Sequence, residues 1–138
     1  MPPEKLRDGS IDIEGDWIRR TRLDSARMRV KHRSSNHYDV EFATSGCLSR
    51  WQLKRTGSYR DGVLTLNRPV QEYCPITFNT LYAIRADGKE LLVPAPNIAD
   101  LLKDLDDNGN SRPNTIGARF YTYGRRHDRD PAELSSRP

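Results

Sequence analysis

Between residues 27 and 42 the chain alternates apolar and polar positions. Met28, Val30 and His32 share one face, and Tyr38, Val40 and Phe42 share one face after a polar break. A period of two is the mark of a half-buried strand. Ser34-Ser35-Asn36 predicts a three-residue loop, with Asn in the left-handed position such loops need. That register sets Val30 against Val40 and Met28 against Phe42, while Lys31 meets Asp39 and Arg29 meets Glu41 on the other face. Opposite charges across a strand pair attract, so apolar pattern, turn and charge select one pairing.

Short strands and turns recur along the rest of the chain, the signature of an antiparallel meander. A first strand opens at Gly15-Asp16-Trp17-Ile18 and runs to about residue 22. A fourth covers about 50–56 around Trp51 and Leu53, and Asp61-Gly62 turns the chain into Val63-Leu64-Thr65-Leu66. Residues 69–75, bracketed by Pro69 and Pro75, read as a looser connection. Leu81-Tyr82-Ala83-Ile84 pairs with Leu91-Leu92-Val93 around Asp87-Gly88, a strong turn dipeptide. One helix follows, with Asn97 as its cap, Asp100 three residues on, and Ile98, Leu101, Leu102 and Leu105 as one apolar stripe. A last strand over about 116–123 closes the sheet. The expected fold is mainly β: an antiparallel up-and-down barrel or curved sandwich of about eight strands with one late helix. Residues 1–9 read as a flexible segment, 10–124 as the single domain, and 125–138 as a charged tail too poor in apolar residues to fold.

Composition narrows the functional classes. The chain of 138 residues is 35% hydrophobic and 30% charged, enough for one modest core. No apolar run of about 18 residues is present, so no membrane span is expected. Residues 1–9 lack the apolar stretch of a signal peptide, which leaves a cytoplasmic protein and an exported mature form both open. The net charge of +4 is concentrated: residues 17–33 hold Arg19, Arg20, Arg22, Arg27, Arg29, Lys31 and Arg33 against one acid, Asp24. Such a strip suits an anionic partner, but the cross-strand acids and the neighbouring Asp12, Glu14 and Asp16 argue for a self-neutralised face.

Gly15-x-Trp17 on the first strand, the up-and-down meander, the late helix and the short final strand together resemble the lipocalin or calycin layout over most of residues 13–124. The resemblance implies that Trp17 plugs one end of a barrel under a basic side chain. It also implies an interior facing a small apolar or amphipathic ligand. The inward set would include Trp17, Met28, Val30, Tyr38, Val40, Phe42, Trp51 and Leu53, together with Leu64, Leu66, Tyr82 and Ile84. These twelve side chains are also enough to fill a narrow barrel, which would then offer its surface to a protein partner.

Other chemistry is sparse. Asp104, Asp106, Asn108 and Asn110 match the first half of a calcium loop with Gly109 at its sharp turn, but position twelve is Thr115 rather than Glu, and Pro113 intrudes. Cys47 and Cys74 lack metal-ligand spacing. In an oxidising compartment they could pair, closing a loop for a gain on the order of 3 kcal/mol. Hydrolase, metalloprotease and phosphate-loop motifs are missing. His32 occupies an inward slot beside Tyr38 that suits a hydrogen-bonded structural histidine. Arg119, Tyr121, Tyr123 and Arg125 alternate along the last strand and could stack on unpaired bases. The sequence therefore predicts a non-enzymatic binding or interaction module with no cofactor. Single-stranded nucleic-acid binding through the basic strand face is the alternative. Oligomeric state is not legible.

Overall fold

A computed structural model describes residues 7–20, 25–44, 53–71, 77–86, 88–104 and 122–125. Among the described residues eight strands run in chain order: β1 (Gly15–Arg20), β2 (Ser25–Ser34), β3 (His37–Thr44), β4 (Leu53–Arg60), β5 (Val63–Gln71), β6 (Thr77–Ala86), β7 (Lys89–Pro94) and β8 (Tyr123–Arg125). Each pairs antiparallel with the next, and β8 returns to β1, so the meander is a closed barrel with no free edge. A 3-10 turn over Ala95–Asn97 leads into the helix α1 (Ile98–Asp104) between β7 and β8. Among the described residues no helix is long and apolar enough to cross a membrane.

The β2–β3 hairpin has the register its alternation dictates: Val30 opposite Val40, Met28 opposite Phe42, Lys31 opposite Asp39, Arg29 opposite Glu41. Its turn differs from expectation. Ser34 pairs with His37 after an irregularity at His32, and Ser35, not Asn36, takes the left-handed position at φ 48°. The ion pairs also differ, because side chains reach along the pleat as well as across it. Arg33, not Lys31, meets Asp39 at 3.5 Å, and Arg29 turns to Asp16 on β1 at 3.0 Å. His32 is exposed rather than inward. Its slot lies past the last enclosed layer, where its ring packs edge-on against Tyr38 at 5.1 Å and Nε2 lies 2.8 Å from the Ser35 carbonyl oxygen.

Several boundaries move for identifiable reasons. β4 extends to Arg60 at the Asp61-Gly62 turn. β5 continues through Pro69 to Gln71, because its pairing with β6 breaks between Thr65 and Val70, where no ladder N–H is needed from Pro69. The helical stretch starts at Ala95, with Pro96 inside the 3-10 turn. Arg125, expected at the head of the tail, is the last residue of β8. Arg7 and Asp8, expected in a flexible segment, bond to β6: Arg7 bridges Ile84, and the Asp8 N–H donates to the Ala83 carbonyl at 2.9 Å. Trp51, Cys47, Cys74, Leu105, Arg119 and Tyr121 lie outside the described residues. So do Asp106, Asn108 and Asn110, so the calcium-loop reading has only Asp104, the last helical residue, within the fold.

Alternation divides the core in two. The barrel interior holds Trp17, Met28, Val30, Val40, Phe42, Leu64, Leu66, Val70, Phe78, Leu81, Leu92 and Tyr123, all buried, with Tyr38 and Leu53 partly buried against them. On the outside, Ile84, Ala86 and Val93 pack with Leu101 of α1, and Tyr82, Leu91 and Ile98 complete that layer. Tyr82 and Ile84, expected inside, therefore belong to the outer layer. Leu81 and Ala83 are the inward pair of β6, since Leu81 stands opposite Leu64.

Candidate functional site

The two ends of the barrel are built differently. At the end that carries the β2–β3, β4–β5 and β6–β7 turns, residues 7–14 cross the opening as a strap. Ile11 and Ile13 insert from it and are buried, capping the interior with apolar side chains. The Tyr59 hydroxyl, on β4, donates toward the Ile11 carbonyl at 3.0 Å and the Asp8 carbonyl at 3.3 Å. The Trp17 indole N–H donates to the Ile13 carbonyl at 2.9 Å. The strap also passes close over the β4–β5 turn. Gly62 sits at φ 78°, and a Cβ there would lie 3.1 Å from the Asp8 nitrogen, so only glycine suits both the turn and the crossing.

Arg125 locks this end. Its guanidinium carbon lies 4.0 Å from the centre of the Trp17 ring, a cation–π distance. Nη1 donates to the Glu14 carbonyl at 2.7 Å, Nη2 donates to the Asp12 carbonyl, and Nε pairs with Glu90 at 3.2 Å. Glu90 in turn meets Arg85 at 3.4 Å, and Arg85 meets Asp8 at 3.2 Å. Alternating charges thus tie the strap to β6, β7 and β8. The Ser10 hydroxyl and N–H, with Arg85 behind them, hold the Asp8 carboxyl below its ordinary range. Burial, reinforced by Asp8, Tyr38 and neighbouring acids, pushes the Tyr59 phenol up to about 12. Burial raises Tyr38 too, with help from Asp12 and Glu14.

At the opposite end the interior changes character. Phe42, Phe78 and Tyr123 meet edge-on across the lumen, Phe42 lying 6.2 Å from Phe78 and 6.5 Å from Tyr123. Beyond them, towards the ends of β1 and β4, lie Ala26, Leu53 and Arg19. Arg19 stands opposite Ala26, two residues past Trp17 on the inward face, and only 2% of it is exposed. Thr122 and Asn97 are the other buried polar side chains among the described residues, and both lie at this end. On the barrel wall, β4 and β5 part company beyond Gly57–Leu66. Side chains span the gap instead: the Thr56 N–H donates to Asn67 Oδ1, and Arg55 Nη2 donates to the Pro69 carbonyl.

Of the residues expected to line a ligand, Trp17, Met28, Val30, Val40 and Phe42 share one buried cluster with Tyr38 at its edge. Trp17 bonds to the strap, while Phe42 meets Phe78 and Tyr123. Sequence reasoning missed Arg19 and Arg125. Arg19 was legible from its two-residue spacing to Trp17 but counted only as part of the basic strip. Tyr123 is fully buried and Arg125 lies over Trp17, so this part of the Tyr/Arg face packs within the barrel. The outer basic strip is interleaved with acids through Asp16–Arg29 and Asp39–Arg33. Among the described residues no three His, Cys, Asp or Glu side chains are grouped to hold a metal.

Compared with family models, characterised proteins and solved structures, the chain shows no significant match to any of them.

Proposed function

We propose that the protein is a non-enzymatic, lipocalin-like binding module that takes a small amphipathic ligand at the end away from the strap, with the ligand's acidic head towards Arg19. The observation that carries this reading is the near-complete burial of Arg19 on the inward face of an otherwise apolar barrel. Burying a guanidinium is costly, and the charge is retained at the inward face of the barrel all the same. A ligand with a carboxylate or sulfonate head and an apolar body would use both the charge and the apolar side chains of the barrel. Sealing by Ile11, Ile13, Trp17 and Arg125 supports access from one side. The inward use of Tyr123 and Arg125 and the ion pairs on the outer strip weigh against nucleic-acid binding.

The test compares dodecanoate with dodecanol, its uncharged analogue, by native mass spectrometry and by displacement of an anionic fluorescent probe. Saturable one-to-one binding of dodecanoate is expected, with dodecanol at least about tenfold weaker, a difference of ~1.4 kcal/mol. Arg19→Met should bring the two ligands level. Equal binding of both by the unaltered protein, or no native-state binding across several anionic amphiphiles, would overturn the proposal.

A further inference from the structure

A second concavity lies at the sealed end, outside the lumen. Gly9, Ile11 and Asp12 of the strap, Asn36 of the β2–β3 turn, Tyr38, and Tyr59, Arg60 and Asp61 at the β4–β5 turn line an open cleft of about 480 Å³. That volume falls within the range of small-molecule sites. Two elements fix its shape. The Tyr59 N–H donates to the Asn36 carbonyl at 2.9 Å, tying the two turns together, and the Tyr59 hydroxyl holds the strap at Asp8 and Ile11. Two tyrosines contribute to its wall, and the Tyr38 and Tyr59 rings stand edge-to-face at 6.1 Å.

The charge of the cleft is acidic. Asp12 and Asp61 both line it. Asp12 uses one carboxylate oxygen to accept the Glu14 N–H at 3.0 Å and retains the other. Glu14 is held beside the cleft because its carboxylate accepts the His32 N–H at 2.8 Å. Arg60 is the one cation among the lining residues, and it is exposed at the rim. Burial opposes the ionisation of both phenols, and the Asp12 charge adds to it at each.

Two tyrosines and two carboxylates lining one cleft recognise one chemistry above others. A cation too large and weakly hydrated to prefer water gains from ring faces and from carboxylates together. We infer that this cleft binds a small free organic cation of the quaternary ammonium class, seated against Tyr38 between Asp12 and Asp61. This site is separate from the lumen site proposed above, and each can fail without the other.

Choline serves as the probe, and 3,3-dimethyl-1-butanol, which replaces its nitrogen by carbon, serves as the uncharged control. Titration followed by amide NMR should give saturable shifts at Gly9, Asn36 and Gly62 with choline, at a dissociation constant in the millimolar range. The control should give none. Asp12→Asn with Asp61→Asn should weaken choline about tenfold. Both changes suit the fold. The amide oxygen introduced by Asp12→Asn can still accept the Glu14 N–H, and asparagine tolerates the left-handed backbone at Asp61, where φ is 52°. Arg60→Gln should tighten binding, because it removes the competing positive charge. Phosphocholine should bind more weakly than choline, as its phosphate meets the same carboxylates. Shifts of equal size with the uncharged control, no saturation with choline, or tighter binding of phosphocholine would each overturn the assignment to a free organic cation.

Discussion

Arg125 is the residue whose loss should reveal how the barrel is closed. Replacing it by Met keeps an unbranched apolar stem over Trp17 and removes the guanidinium. Three sets of interactions go with it: the contact with the Trp17 ring at 4.0 Å, the bonds to the Glu14 and Asp12 carbonyls, and the ion pair with Glu90. The cation–π contact contributes about 1 kcal/mol in a partly desolvated site. Charge-assisted bonds contribute roughly 1.5–3 kcal/mol each when enclosed. Water can replace much of that here, since the strap carbonyls lie near the surface and the Glu90 side chain is 28% exposed. The expected loss is therefore about 3 kcal/mol, corresponding to a fall of about 10 °C in Tm for a domain of this size. Urea denaturation followed by tryptophan fluorescence reads it as a lower midpoint with an unchanged slope. Arg125→Lys should recover only part of the loss, because an ammonium cannot reach both carbonyls and Glu90 together. A change below about 0.5 kcal/mol, the range of ordinary surface substitutions, would refute the view that Arg125 closes the barrel.

Tyr59→Phe should cost about 1 kcal/mol through its bonds to the strap, and it should also change the alkaline limit. The folded-state value near 12 lies above the ordinary 10, so the protonated phenol stabilises the fold below pH 10 and that contribution disappears as pH rises towards 12. Denaturation midpoints measured across this interval should fall more steeply for the native protein than for the Phe variant. Gly62→Ala should destabilise by at least about 1 kcal/mol, from the positive φ and the close Asp8 backbone, whereas Gly88→Ala, with nothing within 4 Å, should cost only the strain of its own φ; comparing their thermal midpoints checks this. The Asp16–Arg29 pair is about one-third exposed on both sides, so a double-mutant cycle should return less than about 1 kcal/mol of coupling.

The β2–β3 register was legible because three independent signals agreed on it, and a one-residue slip would have turned Val30, Val40 and Phe42 to solvent. Pairing β8 with β1 was less accessible, since it joins residues more than a hundred positions apart and no local pattern encodes such a contact. Arg125 illustrates the difficulty. Its neighbours in sequence are charged, so composition assigned it to a tail, while its neighbours in space are Trp17, Glu14 and Glu90. The strap hid for a related reason: Ile11 and Ile13 alternate like a strand yet cross the barrel end, where single buried side chains replace a ladder. Tyr82 and Ile84 show a further limit. A strand buried on both faces is apolar throughout, so alternation could not say which set faced the lumen until α1 covered one of them.

The remaining prediction separates structure from function at Arg19. A buried guanidinium kept for the fold and one kept for a ligand respond differently to substitution. If the fold depends on Arg19, replacing it leaves a partner group buried and uncompensated, and the cost should reach about 3–5 kcal/mol. If the charge serves a ligand, an apolar side chain of similar length relieves its desolvation, and the change should be neutral or stabilising by about 1–2 kcal/mol. Met fits the position in size, and the neighbouring Ala26 leaves it room on the inward face. We expect Arg19→Met to raise or preserve the urea midpoint while abolishing the preference for dodecanoate over dodecanol. Loss of several kcal/mol together with loss of that preference would assign Arg19 to the architecture of the mouth.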